Sequence, residues 1–393
     1  MSININKNVN RKTTPTLTTR ACHQVSGALE RLSRALPTAL ASAVLTGLLA
    51  GAAVPVAEAC TSLVLPTTDG SRIYARTLEF AVDTKSQLVG LPRHYALTGQ
   101  KGLAWQSKYA AVGMNAYGMP ALLDGMNEKG LTGGILWFPG FAEYTDPQAV
   151  PDGAGLAPWE FLTWALTNFA TVAEVKAALP GIRVMSMKEP DMGVIPPVHY
   201  TLHDATGASI VIEPVNGELK VYDNPVGVMT NSPEFSWHLT NLRNYVNLTP
   251  VDTPSLHIND AVVHTLGAGS GMHGLPGDQT PPSRFVRAAA MVLSAQKVGG
   301  GLPGVRMAEH IINNFDIPKG LVKQVDNKDA PADHTQWSTV ADMGQDRYYI
   351  KTWDNPVLSG VGFTDFDTNG ATMVTFAIPA GSAPQTLTPV GGK

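Results

Sequence analysis

Cysteine is nearly absent from this chain: Cys22 and Cys60 are the only two in 393 residues. Cys22 falls in a leader-like segment, so the chain from Cys60 onward holds one thiol and cannot be a scaffold stapled by internal disulfides. Cys60 is therefore either a small buried hydrophobe or a reactive group. Charge is sparse too, at 15% of residues, and it leans acidic. The first 59 residues take six basic and two acidic residues out of 28 and 32, which leaves 22 against 30 and a net charge of −8 for the remainder. That remainder lacks the basic excess that nucleic acid or an anionic membrane surface would require of a partner. Internal repeats, heptads and linkers are missing as well, so residues 60–393 read as one domain, with 44% hydrophobic content to fill a large core.

The one long apolar run lies near the start. Arg31 and Arg34 precede residues 35–54, and Ala57-Glu58-Ala59 stands immediately before Cys60. A basic region, an apolar region and an A-x-A site in that order describe a secretory signal peptide, and they predict that residues 1–59 are removed between Ala59 and Cys60 to give a periplasmic or secreted product. A transmembrane anchor competes with this, since the run approaches spanning length, but Pro37, Thr38, Ser42 and Thr46 dilute it. A lipoprotein is the other competitor, and Glu58 beside the cysteine fits a lipidation site poorly.

From Cys60 onward the pattern is short strands with turn punctuation. Residues 60–65 and 72–77 predict a hairpin across Thr68-Asp69-Gly70, and residues 109–117, 121–126 and 131–138 continue in strand, with Asn127-Glu128-Lys129-Gly130 as a turn. A meander follows over 199–222, broken at Ala205-Thr206-Gly207 and at Asn216-Gly217. Helices are predicted over 158–169, over 175–179 behind a Thr171/Glu174 capping box, from Pro281-Pro282-Ser283 to Gln296, and over 305–315. Late strands are expected at 336–343, 348–353 and 371–378, and the tail after Pro379 reads as loosely held. Hairpins segregated from helices give an α+β class, two sheets with helices outside.

A cysteine at a mature N-terminus carries nucleophile and base on one residue. Its thiol, with a reference pKa of roughly 8.5, can pass its proton to a free α-amine of roughly 7.7 to 8.0, so no separate histidine is required. Other catalytic sets fail on inspection. Ser270 lacks the flanking glycines of a nucleophile elbow. Gly269, Gly271 and Gly274 match G-x-G-x-x-G without a strand leading in. His199 and His203 sit in a strand-like run with no carboxylate at metalloprotease spacing, which makes them surface or core histidines.

Cys60-Thr61-Ser62, Arg76-Thr77-Leu78-Glu79, Asn127-Glu128-Lys129-Gly130-Leu131, Phe138-Pro139-Gly140, Asn224-Pro225 with Met229-Thr230-Asn231, Asn241-Leu242-Arg243-Asn244-Tyr245, and Gly274-Leu275-Pro276-Gly277-Asp278 with Ser283-Arg284-Phe285-Val286-Arg287 occur in this order. Together they resemble the choloylglycine hydrolase family, the N-terminal-nucleophile enzymes that include bile salt hydrolases and penicillin V acylases. The resemblance covers nearly all of the chain after Cys60 and implies a four-layer αββα sandwich of two antiparallel sheets. It implies that Cys60 attacks an amide carbonyl, that Arg76 lies by the sulfur, and that Glu79, where the family usually has aspartate, orients the α-amine. Asn231 and the backbone N–H of Trp137 would hold the oxyanion, and Arg284 would complete the charge network. The family is often tetrameric, and its cysteine chemistry needs no metal or organic cofactor.

The resemblance also bears on substrate. Bile salt hydrolases usually carry asparagine where Trp137 stands, and Phe80, Trp137 and Phe138 would give flat apolar surface suited to an aryl or long-chain acyl group. That pattern is similar to Gram-negative penicillin V acylases, a branch that also cleaves N-acyl homoserine lactones. Bile salt hydrolysis is the alternative, and an exported binding protein or lipoprotein is the alternative outside enzymes.

Overall fold

The computed structural model describes residues 59–323, 331–381 and 383–390, all within one unit, Pro55–Lys393. The leader and the apolar run 35–54 lie outside the described residues.

The nucleophile candidate opens the first strand. β1 (Cys60–Pro66) turns back through Thr68-Asp69-Gly70 into β2 (Arg72–Phe80), in the predicted hairpin. Asp69 Oδ1 closes the turn by accepting the Ser71 N–H at 3.2 Å, and Gly70 takes φ = 87°, a left-handed conformation that costs glycine little. β10 (Val228–Met229) adds to the free edge of β1, and β11 (His334–Asp342), β12 (Arg347–Thr352) and β13 (Ser359–Gly362) follow β2, giving a six-stranded sheet ordered β10-β1-β2-β11-β12-β13.

The second sheet has eight strands: β3 (Leu88–Leu91), β4 (Ala111–Asn115), β5 (Leu122–Asn127), β6 (Thr132–Trp137), β7 (Val198–His203), β8 (Ser209–Val215), β9 (Glu218–Asp223) and β14 (Val374–Phe376). Their order is β9-β8-β7-β6-β5-β4-β3-β14. The Asn216-Gly217 signal ends β8 as expected, with both residues at positive φ, 54° and 76°.

Helices cover the outer faces. α1 (Phe161–Asn168) packs on β5 and β6. α2 (Val172–Ala178) is capped by Thr171, whose side chain accepts the Glu174 N–H, while Glu174 Oε2 accepts the Ala170 N–H at 2.8 Å. α3 (Phe235–Leu242) lies near the start of α4 (Pro281–Ser294), which rests on β1, and α5 (Leu302–Ile312) rests on β2 and β11. One apolar cluster joins Leu63, Ala75, Met126, Leu136, Phe285 and Ile312 through the first sheet and between the sheets, and a second joins Leu122, Ile135, Phe161, Val175 and Tyr200 under α1 and α2. The architecture is the expected α+β sandwich of two antiparallel sheets with helices outside.

One consequence of this layering decides where the chemistry sits. β1 and β2 belong to a sheet covered on both faces, so nearly all of β2 is buried whichever way a side chain points. Arg76 and Glu79 are therefore both fully buried, a placement that charged residues tolerate only when partnered or functional. No helix among the described residues is long and apolar enough to cross a membrane.

Candidate active site

Register brings Cys60 and Arg76 together. Cys60 pairs with Leu78 and Ser62 with Arg76, so the side chains of Cys60 and Arg76 share one face of the hairpin. Arg76 Nη2 donates toward Cys60 Sγ at 3.6 Å. The guanidinium is also fixed by the Leu123 carbonyl at 2.6 Å, by the Ile135 carbonyl, and by the Asp124 carboxylate at 3.8 Å, and it stands 5.2 Å from the Trp337 ring centroid. Burial alone would lower its pKa, but its interactions with the Cys60 sulfur and the Asp124 carboxylate outweigh burial and raise it. The cation is permanent.

Asp124 is the residue that sequence reasoning missed. It accepts hydrogen bonds from Tyr74 at 2.6 Å, Tyr348 at 2.5 Å and Thr339 at 2.8 Å, all buried, and it is the counter-charge beneath Arg76. A carboxylate between Leu123 and Gly125 in a strand-like run was the available signal. Gly134 on the neighbouring strand leaves space for the cluster: a Cβ there would lie 2.7 Å from Tyr74 Oη and 3.1 Å from both Arg76 Cδ and Asp124 Oδ2.

Asn231 follows β10 and reaches back to the nucleophile. Its Oδ1 accepts the Cys60 N–H at 2.8 Å and Arg284 Nη2 at 2.6 Å, and its Nδ2 donates to the Trp137 carbonyl at 2.9 Å. Two donors on one atom and an acceptor on the other fix the amide orientation. One hydrogen of Nδ2 is left for another acceptor. Two buried histidines hold the backbone on which Asn231 sits: His199 Nε2 contacts the Thr230 carbonyl and His238 Nε2 the Asn231 carbonyl, each at 2.9 Å. Burial keeps His238 neutral, its pKa lowered to about 4. His199 and His203 are core residues, the second of the two placements that the sequence left open.

Arg284 lies in the first turn of α4, fully buried, and ties three parts of the site together. It donates to the Cys60 carbonyl, to Thr61 Oγ1 at 2.8 Å and to Asn231 Oδ1. Burial lowers its pKa to about 10, against the pull of Glu79. Glu79 occupies the opposite face of β2 from Arg76. Its Oε1 accepts from Thr335 Oγ1 at 2.9 Å and its Oε2 has no well-formed hydrogen-bond partner. Desolvation raises its pKa to about 7, with Arg284 acting in the other direction. Glu79 does not contact the Cys60 nitrogen here; its own N–H donates to the Ala59 carbonyl at 2.9 Å.

An apolar cleft of about 640 Å3, counting its open mouth, is lined by Cys60, Arg76, Phe80, Trp137 and Trp159. Phe80 meets Trp137 edge-on, with ring centroids 5.8 Å apart. Phe138, expected on the same wall, is not in the cleft. Successive side chains of an extended strand face opposite ways, so Phe138 turns from Trp137 into the core, stacking on His199 at 4.4 Å and Phe141 at 5.5 Å. The structure therefore brings Cys60, Arg76, Asn231, Arg284, Trp137 and Phe80 together, leaves Glu79 one face away, and excludes Phe138.

Comparison with known proteins agrees with this geometry. Residues 60–376 match the family described as linear amide C–N hydrolases, choloylglycine hydrolase family. A bile salt hydrolase/transferase of Clostridium perfringens is 32% identical over 81% of this chain and 96% of its own length. A penicillin V acylase of Pectobacterium atrosepticum is 30% identical over 79% of this chain and 82% of its own. A crystal structure of a variant conjugated bile acid hydrolase from Clostridium perfringens superposes with a TM-score of 0.74 at 31% identity, covering 84% of this chain and all of that one. With a family match across most of its length and a site built around its lone described cysteine, the chain belongs to the choloylglycine hydrolase family and is a hydrolase of carbon–nitrogen bonds other than peptide bonds.

Proposed function

We propose that the protein, once residues 1–59 are removed, uses Cys60 as an N-terminal nucleophile to hydrolyse amides that join an apolar acyl arm to a small polar amine. One observation carries this: the thiol of Cys60 lies 3.6 Å from the buried Arg76 guanidinium and lines the apolar cleft. Cleavage at Ala59 converts the Cys60 amide nitrogen into a free amine beside Asn231 Oδ1. The thiol proton passes to that amine, and the sulfur adds to the substrate carbonyl with Arg76 steadying its negative charge.

The oxyanion that forms is met by the second hydrogen of Asn231 Nδ2 and by the Trp137 N–H. The Trp137 carbonyl already faces Asn231, and in an extended strand the N–H and C=O of one residue point the same way. The ammonium returns its proton to the leaving amine as the C–N bond breaks, leaving a thioester on Cys60. Water, deprotonated by the same amine, then releases the acid and restores the thiol. Glu79 Oε2, without a partner, is the acceptor available to the freed ammonium after a side-chain adjustment.

Phe80, Trp137 and Trp159 around the cleft favour an aryl or long-chain acyl arm, so penicillin V and N-acyl homoserine lactones are the proposed substrates. Bile salt hydrolysis is the second reading, favoured by the relative from Clostridium perfringens. Turnover of penicillin V, a long-chain acyl homoserine lactone and glycocholate by the purified mature protein decides between them. Faster turnover of glycocholate overturns the first. The basic, apolar and A-x-A order of residues 31–59 supports a periplasmic or secreted location, and recovery in the cytoplasm or with salt-washed membranes would contradict that.

A further inference from the structure

Within this largely apolar cleft stands one carboxyl group that the mechanism does not use. Glu189 lines the cleft with Cys60, Phe80 and Trp137 and is 2% exposed. Its Oε2 accepts the Met192 N–H at 2.6 Å. The backbone is held as well, Glu189 N–H to the Val194 carbonyl at 2.9 Å and Gly193 N–H to the Glu189 carbonyl at 2.8 Å. The carboxyl is thus carried on a closed turn, yet Oε1 has no hydrogen-bond partner. Trp137 Nε1, a buried donor in a residue lining the same cleft, has none either. A buried polar atom without a partner bears the full cost of its desolvation, and a group entering the cleft can supply the missing bond.

We propose that Glu189 is a specificity-determining residue that selects acyl arms bearing a hydroxyl group, with the Trp137 indole N–H as a second polar contact in the cleft. The inference rests on the assignment of the cleft to the acyl arm. A hydroxyl both donates and accepts, so it pairs with a carboxyl oxygen in either protonation state and can also accept from an indole. A purely hydrocarbon arm would leave Oε1 without a partner, and a site built around an unpaired polar group discriminates most strongly against an arm that cannot pair with it.

The test compares kcat/KM for penicillin V with that for its ortho-, meta- and para-hydroxyphenoxyacetyl analogues. In the wild type the best isomer is expected to exceed the parent by about tenfold, and in Glu189→Met that ratio is expected to fall to near one. Glu189→Gln covers the case in which the Met variant does not fold. It keeps an acceptor for Met192 and offers the cleft a donor instead, so the matching methoxyphenoxyacetyl analogue, which only accepts, should gain at least about threefold relative to the wild type. A residue that merely closes its turn would move neither ratio. The proposal is overturned if no hydroxy isomer beats the parent in the wild type, or if the ratios are unchanged in both variants. Calorimetric binding of the free hydroxyphenoxyacetic acids against phenoxyacetic acid reads the same preference without chemistry. Absence of turnover therefore counts against the proposed reaction, and equal affinities count against Glu189.

Discussion

Asp124→Asn is the perturbation that reaches furthest into the account. The Arg76 guanidinium is fully buried and its carboxylate partner lies at 3.8 Å. At an effective dielectric of about 20, a unit pair at that separation is worth about 4 kcal/mol. The substitution keeps the shape and leaves one oxygen for Tyr348 and Thr339, but it turns an amide donor toward Tyr74 and Arg76, two donors themselves. Burial raises the Asp124 pKa despite Arg76 and three hydroxyl donors, whereas the same pair raises that of Arg76. A guanidinium keeps its proton, so the buried Arg76 must be compensated by a negative partner. Loss of the compensating charge should cost about 3–5 kcal/mol of stability in urea unfolding and lower kcat/KM at least about tenfold as Arg76 shifts from the sulfur. Arg76→Met combined with Asp124→Asn should be more stable than the sum of the single losses implies. Stability within about 1 kcal/mol of wild type, or strict additivity in the double variant, would refute the reasoning.

Three further outcomes follow from the same geometry. Gly134→Ala forces a methyl group to within 2.7 Å of Tyr74 Oη and should cost about 1–3 kcal/mol in thermal or urea unfolding, with a larger fractional loss of activity than of folded protein. Burial raises the Glu79 pKa from 4.5 to about 7, so in the chain with Ala59 still attached its contribution is fully present below pH 4.5 and is lost as pH rises to 7, about 3 kcal/mol in all. Urea titrations across that range should show the decline, and Glu79→Gln should flatten it. Arg284→Met removes the bonds to Cys60, Thr61 and Asn231 and should lower both stability, by about 3 kcal/mol or more, and kcat, measured with whichever amide is turned over fastest.

The hairpins were legible because turn chemistry and alternation are local: Thr68-Asp69-Gly70 and Asn216-Gly217 mark their turns without reference to the rest of the chain. Helix α3 was not. Its N-cap Glu234 makes no capping bond, and the Phe235 N–H is satisfied by Glu213 Oε1, from β8, at 2.8 Å, a tertiary contact that no nearby residue announces. β10, two residues long, and β13, with two glycines among four residues, carry too little pattern to be read. In the site, Cys60, Arg76, Asn231 and Arg284 were identified through ordered motifs. Asp124 was passed over because a charge inside a strand looks like a surface position until both faces of its sheet are known to be covered. Phe138 was misplaced for the opposite reason: its neighbour Trp137 faces the cleft, so strand alternation alone should have sent it the other way.

Mass spectrometry of the purified, active protein tests the central claim most directly, read together with iodoacetamide labelling. The account predicts a chain beginning at Cys60 with an unmodified α-amine, one alkylation at Cys60 that abolishes amide hydrolysis, and a Cys60→Ser variant that is folded but strongly impaired. An active enzyme that begins at another residue, or whose Cys60 amine is acylated, would contradict it.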